Sequence, residues 1–161
     1  EVGAHGISDR GIWRVHQFSK VEQVIICKPE DSKEMHNEIL ENATHIFKKL
    51  EIPFRVIDIC TGDIGTVAAR KFDIEAWMPS SKKWKEVVSA SNCKSYQSVR
   101  LNMRYRTQEG TDFPHTLNST AVATTRALAA ILENNQTDNG DVIIPEVLRK
   151  WMGNQETIEA K

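Results

Sequence analysis

Apolar residues recur at helical spacing between Asp31 and Leu50, and this pattern predicts an amphipathic helix. Glutamates lie early in the stretch and Lys48 and Lys49 lie late, an order that suits the helix dipole. Pro53 then predicts the end of the helix, because the residue before a proline is disfavoured in helical conformation. The apolar run that follows predicts a strand from Phe54 to Cys60.

Alternation of apolar and polar residues predicts most of the other strands. Residues 12–28 alternate and then become continuously apolar, which indicates two strands joined near Ser19 and Lys20. Two further apolar runs, Phe72–Met78 and Trp84–Ser91, flank a loop rich in Ser and Lys and predict a hairpin. A short helix from Lys94 to Leu101 and a strand around Asn102–Arg106 should follow.

The last third of the chain favours helices. Residues Thr120–Asn134 are rich in Ala and Leu and predict a helix that Asn118 or Ser119 could cap. Pro145 should open a short helix that continues through Trp151. Hairpin-linked strands with few helices indicate an α+β fold, with an antiparallel β-sheet flanked by helices. No repeat or linker divides residues 1–161, so we expect one domain.

Composition narrows the class of protein. The chain has 161 residues, of which 40% are hydrophobic and 27% charged, as in ordinary globular proteins. Its 21 Lys and Arg nearly balance 22 Asp and Glu, so any contact with RNA must be local or lie outside this chain. Three widely spaced cysteines form no metal-site or disulfide pattern and favour the reducing cytoplasm. The longest apolar run is too short to cross a bilayer, so we expect no membrane partner.

Two segments near the start of the chain could bind a charged ligand. Strand alternation would place Arg14, His16 and Phe18 on one face, where guanidinium groups can hold phosphates and a ring can stack on a base. The alternative is a solvated sheet face. Glu22 lies between Val21 and Val24, and a carboxylate near a core requires a cation, such as the ammonium group of a ligand.

Three later residues suggest a phosphate or metal site. Glu86 and Ser89 lie on one predicted strand, and a carboxylate with a hydroxyl can share a hard cation such as Mg²⁺. The alternative is an ordinary strand-edge Glu and a strand Ser. Arg126 lies in the Ala-rich helix and, where buried, needs an anion. That anion could be a phosphate or a carboxylate of the same chain.

Several blocks of the sequence, taken in order, resemble the seryl-specific branch of the class II aminoacyl-tRNA synthetases. Residues 11–22, GIWRVHQFSKVE, resemble the second half of that family's motif 2, and residues 116–120 and 129–136 are similar to its motif 3. Between and after them lie the blocks TGDIG (61–65), DIEAWMP (73–79), EVVSASNC (86–93) and IPEVL (144–148). The resemblance covers nearly the whole chain.

The resemblance implies a six-stranded antiparallel catalytic sheet that activates L-serine with ATP and Mg²⁺ and transfers the seryl group to tRNA(Ser). Arg14 and Arg126 would be the catalytic arginines. The resemblance assigns ATP binding to Glu1, Val15, His16, Gln17, Phe18, Glu86, Val87, Val88, Ser89 and Arg126. It assigns serine binding to Glu22, Asn118 and Thr120, and Mg²⁺ to Glu86 and Ser89.

The same resemblance implies that the chain is the C-terminal portion of a catalytic domain and begins within motif 2. Motif 1, the motif 2 arginine that grips the α-phosphate and the N-terminal tRNA-binding arm would then lie outside it. The full-length protein would be a cytoplasmic homodimer, and this chain alone an incomplete site. Two alternatives remain: a synthetase-like ligase that charges a carrier protein, and a non-catalytic module that keeps the fold as a binding surface.

Overall fold

The computed structural model describes residues 11–161. The helices there are α1 (Ser32–Lys49), α2 (Tyr96–Arg100), α3 (Thr124–Asn134) and α4 (Glu146–Arg149). The strands are β1 (Lys20–Cys27), β2 (Phe54–Asp58), β3 (Arg70–Met78), β4 (Lys83–Asn92), β5 (Tyr105–Thr107), β6 (Gly110–Asp112), β7 (His115–Ala123), β8 (Val142–Ile143) and β9 (Thr157–Ile158). This mixture of an antiparallel sheet with few helices confirms the predicted α+β class.

Five strands form the central sheet in the order β1-β7-β4-β3-β2, and every neighbouring pair is antiparallel. The sixth strand implied by the resemblance is not found among residues 11–161. Two small hairpins, β5–β6 and β8–β9, stand apart from this sheet. In the described part of the chain no helix has the length and apolar character needed to cross a membrane.

One face of the sheet carries the core. Helix α1 buries Ala43 and Phe47 in the same cluster as Ile74 of β3, Val88 of β4 and Ala130 of α3. These side chains are excluded from water because their apolar positions fall on one side of each element. The opposite face of β4 and β7 is therefore left for polar side chains.

Two β-bulges interrupt the sheet where strands β4 and β7 approach the start of α3. Glu75 pairs with Glu86 while Ile74 pairs with Val88, so Val87 is an extra residue in β4. Likewise, Val122 pairs with Val21 and Thr120 with Glu22, which makes Ala121 an extra residue in β7. Bulges re-aim side chains and are common beside functional sites.

Three sequence predictions are wrong. Residues 11–19 form turns and bends, not a first strand, so Arg14, His16 and Phe18 do not share a strand face. Helix α3 begins at Thr124 and not at Thr120, because residues 120–123 continue β7 and pair with β1. Asn118 and Ser119 are consequently strand residues and cap no helix.

Candidate functional site

A cavity of about 190 Å³ opens beside the two bulges. It is formed where the start of β1, the middle of β4, the end of β7 and the first turn of α3 meet. Among the described residues its wall consists of Phe18, Lys20, Glu86, Val87, Ser89, Thr120, Ala123 and Arg126. Five of the residues that the resemblance assigned to ATP and one assigned to serine therefore line one space.

The bulges explain why these side chains meet. Glu86 and Ser89 are three residues apart, and regular alternation would point them to opposite faces of β4. The extra residue Val87 shifts the alternation by one, so both line the cavity. The extra residue Ala121 has the same effect on β7 for Thr120 and Ala123.

Arg126 binds Glu86 across the cavity wall. Its Nη1 donates to a carboxylate oxygen of Glu86 at 3.1 Å and to the Glu86 carbonyl oxygen at 3.0 Å. The guanidinium carbon also lies 5.7 Å from the ring centre of Trp13. Because the Glu86 side chain is 48% exposed, this ion pair contributes little to stability and can be exchanged for a ligand at low cost.

Glu22 and Thr120 form a second polar pair beside the cavity. The Thr120 hydroxyl donates to Glu22 Oε2 at 3.2 Å, and Lys20 Nζ lies 3.0 Å from the same oxygen. The sequence indicated that Glu22 lies near the core and requires a cation. In the structure its side chain is partly exposed, because β1 is an edge strand, and Lys20 supplies the cation.

Asp73 is a buried carboxylate on β3, directly opposite Ser89 of β4. Only 7% of the residue is exposed, and its Oδ1 has no hydrogen-bond partner among the described residues. Burial raises the pKa of Asp73; the Ser89 hydroxyl opposes this rise and the nearby Glu86 carboxylate adds to it. An unpartnered buried oxygen is therefore available for a cation or a polar ligand group.

These oxygens fit a hard divalent cation. Glu86, Ser89 and Asp73 present two carboxylates and a hydroxyl on one side of the sheet, the ligand type that Mg²⁺ prefers. In the described part of the chain no three His, Cys, Asp or Glu side chains are grouped as a metal site. A magnesium ion here would thus complete its shell with water and ligand phosphates, as this ion commonly does.

The other predicted site residues lie elsewhere. Arg14, His16 and Gln17 are exposed, Val15 is half-buried, and all four precede the cavity wall without entering it. Val88 belongs to the buried core on the other face of β4. The half-buried Asn118 directs its amide to Cys93 Sγ at 3.8 Å. Glu1 lies outside the described residues.

Asp73, Lys20 and Trp13 are the site residues that sequence reasoning did not select. Trp13 lies beneath two cations, Arg126 and Lys85, and Lys85 Nζ is 4.9 Å from its ring centre. Two acidic residues, Asp73 and Glu75, lie among the apolar residues of β3, and the sequence does not show which of them faces the site. If the β3–β4 hairpin had no bulge, the pairing of Met78 with Lys83 at its loop would place Asp73 opposite Val88. The bulge places it opposite Ser89 instead, and the sequence does not reveal the bulge.

Comparison with known proteins identifies the family. Residues 2–135 match the tRNA synthetase class II core domain (G, H, P, S and T). The serine--tRNA ligase of Methanospirillum hungatei is 60% identical over 159 residues, covering 97% of this chain and 37% of that protein. The serine--tRNA ligase of Thermococcus onnurineus is 56% identical over 162 residues, covering 99% of this chain and 35% of that protein.

Two solved structures have the same fold. The seryl-tRNA synthetase of Pyrococcus horikoshii complexed with ATP has a TM-score of 0.91 at 55% identity, covering 94% of this chain and 34% of that chain. The cytoplasmic serine-tRNA ligase of Naegleria fowleri in complex with AMP also has a TM-score of 0.91, at 44% identity, covering 98% of this chain and 38% of that one. This chain spans little more than a third of the length of these relatives.

Proposed function

Because the chain belongs to the tRNA synthetase class II core domain family, we propose that it is the C-terminal part of the catalytic domain of a serine--tRNA ligase. The proposed reaction activates L-serine with ATP and transfers the seryl group to tRNA(Ser). One observation carries the proposal: residues that the resemblance assigns to ATP, magnesium and serine line one cavity. The names of the relatives and the ATP and AMP bound to two structural neighbours support it.

The nucleotide would occupy the side of the cavity formed by Phe18, Val87 and Arg126. A ring such as Phe18 can stack on a base, and the Arg126 guanidinium can bind phosphate oxygens in place of Glu86. The resemblance extends this binding site to Glu1, Val15, His16, Gln17 and Val88. Arg14 is not among the residues that line the cavity, and it would contact a phosphate that extends beyond them.

Serine would bind at the Glu22 and Thr120 pair. The ammonium group of serine would take the place of Lys20 at the Glu22 carboxylate, and the Thr120 hydroxyl would position that carboxylate. A polar pocket of this kind distinguishes serine from alanine well, since alanine leaves its hydrogen-bonding groups unpaired. Asn118, two residues along β7, would complete the serine side.

In the proposed reaction a serine carboxylate oxygen attacks the α-phosphorus of ATP. The bond from this phosphorus to the bridging oxygen breaks, and pyrophosphate leaves with the electron pair. Arg126 stabilises the charge on the phosphates, and the cavity aligns the two reactants, which together supply most of the rate. The seryl group then passes from the adenylate to a hydroxyl of tRNA, and AMP leaves.

Glu86 and Ser89, with Asp73 behind them, would hold a magnesium ion. When bound, this ion neutralises phosphate charge and orients the leaving group. We further propose that the full-length ligase is a cytoplasmic homodimer. Within residues 11–161 the outer edge of β1 has no paired strand, which supports an additional contact there, since exposed strand edges tend to pair.

Arg126→Ala in the full-length ligase tests the assignment. We expect kcat/KM for serine-dependent ATP–pyrophosphate exchange to fall roughly 100- to 1,000-fold, as on loss of a donor to transition-state charge. The fold should persist, because the Arg126–Glu86 pair is half-exposed and contributes only about 0–1 kcal/mol.

Arg149→Ala is the matched control. Arg149 is also partly buried and forms a 3.2 Å ion pair with an exposed glutamate, Glu156, but it lies outside the cavity. Unchanged exchange by Arg126→Ala, or equal losses in both variants, would contradict the proposed role. Failure of the unmodified ligase to exchange pyrophosphate with serine would contradict the proposed function itself.

A further inference from the structure

Three exposed arginines fall within seven consecutive positions of the segment that follows β4. Arg100 ends α2, Arg104 precedes β5 and Arg106 lies within β5. Four other arginines, Arg55, Arg70, Arg126 and Arg149, each hold a carboxylate at 2.7–3.2 Å. By contrast, none of the three forms an ion pair with any residue in 11–161. We call these three residues the arginine cluster.

Two of the three guanidinium groups are held in place by rings of the same segment, and Arg100 Nη1 also donates to the Tyr96 carbonyl oxygen at 3.1 Å. Arg100 lies over Tyr96 at 3.4 Å, and Arg104 lies over Phe113 at 4.4 Å. Arg104 Nε also donates to the Asn102 side-chain oxygen at 3.1 Å. Stacking fixes the plane of a guanidinium while its remaining N–H groups stay available for an acceptor. Both groups are therefore positioned and charged, and neither forms an ion pair within residues 11–161.

Charge in this segment differs from that of the whole chain. Residues 94–114 contain four basic side chains against two acidic ones, Glu109 and Asp112, whereas the chain as a whole has a net charge of −1. Glu30 and Asp31 lie near Tyr105 of this segment, so the basic surface is the side that carries the three arginines and not the side that faces α1. Planar guanidinium forks match phosphate oxygens, and a row of them matches a phosphate backbone. RNA fits this surface better than an acidic protein segment, since aromatic rings beside the arginines can also contact bases or riboses.

The segment is firmly attached to the strand that leads to the cavity. Backbone hydrogen bonds link Cys93 to Thr116 and Thr116 to Lys94, and Ser98 Oγ donates to the Pro114 carbonyl at 2.6 Å. Strand β7 begins at His115, beside this segment, and reaches the cavity at Thr120. His115 and Thr120 are five residues apart, which is about 17 Å along a strand at roughly 3.4 Å per residue. An RNA whose end occupies the cavity has phosphates within this distance.

We propose that Arg100, Arg104 and Arg106 bind the phosphate backbone of the tRNA that the ligase charges. This inference rests on the proposed function and adds to it a tRNA contact within the catalytic part of the protein. It also accounts for the only concentration of unpaired arginine among the described residues.

The test is the triple variant Arg100→Gln, Arg104→Gln, Arg106→Gln in the full-length ligase. Its Kd for tRNA(Ser) should rise at least roughly tenfold at physiological salt, and the slope of log K against log salt should flatten by about 2–3 units, one for each lost phosphate contact. Serine-dependent pyrophosphate exchange without tRNA should be unchanged, because the cluster lies outside the cavity.

The matched control replaces three exposed lysines of α1, Lys33→Gln, Lys48→Gln and Lys49→Gln, and removes the same charge. The proposal would be overturned if both triple variants lost tRNA binding equally, or if the salt slope did not change. It would also be overturned if the arginine variant had a changed sedimentation coefficient without RNA, which would assign the cluster to a subunit contact. If the triple variant does not fold, the single variant Arg106→Gln replaces it in the test. This variant should flatten the salt slope by about 1 unit, because it removes one phosphate contact. Absence of exchange in the unmodified ligase would instead refute the proposed function.

Discussion

The buried carboxylate of Asp73 lowers the stability of the fold at neutral pH. Its carboxylate is almost fully buried, one oxygen has no partner, and the pKa is raised by that burial. A raised carboxyl pKa means that ionisation at neutral pH opposes folding, so the stability present below a pH of about 4 is lost as the pH rises through the folded-state pKa. Residues kept in such surroundings commonly serve a ligand.

Asp73→Asn should therefore separate stability from activity. Removing the charge should raise the thermal midpoint at pH 7 slightly, while pyrophosphate exchange should fall roughly 10- to 100-fold, as on loss of a residue that supports a metal ligand. The magnesium concentration for half-maximal exchange should rise as well. Thermal denaturation and a magnesium titration of the full-length ligase measure these effects.

Asp58→Asn is the control for this variant. Asp58 lies on the neighbouring strand β2, is exposed and pairs with Arg70 at 2.8 Å. Its loss should leave the magnesium requirement unchanged. If Asp73→Asn destabilised the protein without moving that requirement, Asp73 would be a structural residue.

At the scale of elements, local patterns were reliable where the sheet did not intervene. The helix from Ser32 to Lys49 and the hairpin of β3 and β4 were predicted because their apolar spacing agrees with their packing. The Ala-rich residues 120–123 have helical propensity, yet the ladder to β1 keeps them in a strand. Neither bulge has a sequence signature, so the meeting of Glu86 with Ser89 required the structure.

Helix α1 is joined to the sheet by a titratable contact. His36 is buried, its Nε2 donates to the Ala90 carbonyl at 3.0 Å, and its ring lies 5.0 Å from that of Phe72. Burial lowers the pKa of His36, which the bond to Ala90 partly offsets and the nearby Arg70 reinforces. The neutral ring is thus the form that suits the folded helix.

Stability should consequently fall under mild acid. Because the folded-state pKa of His36 lies below the unfolded value of about 6.5, its contribution is fully present above that pH and is lost as the pH falls towards the folded pKa. The free energy of unfolding of residues 1–161, measured with urea between pH 7.5 and 5, should decrease. His36→Gln should reduce this slope.

His45→Gln, on the exposed side of the same helix, should not alter the slope. A part of the slope should survive His36→Gln, since burial also lowers the pKa of His115. A slope unaffected by His36→Gln would exclude His36 as its source.

At the scale of the whole molecule, residues 11–161 supply eight lining residues of the cavity. Its described walls come from β1, β4, β7 and α3, and β1 is the outer strand of the sheet. The relatives that match this chain are nearly three times its length. On the proposed assignment, a second phosphate-binding arginine and motif 1 would lie in that additional length. The chain would then hold part of the proposed nucleotide site and part of the proposed serine site.

Residues 1–161 alone should therefore fold without catalysing adenylate formation. The core between α1 and the sheet is contained in the chain, whereas alignment of serine with the α-phosphate needs groups on both sides of the reactants. Pyrophosphate exchange with ATP and serine should stay at the level of a protein-free blank. Circular dichroism of the same sample should show the α+β content of the folded chain. Exchange above that blank would mean that the walls described here suffice for catalysis. Recovery of exchange when a separately produced N-terminal segment is added would locate the missing groups in that segment.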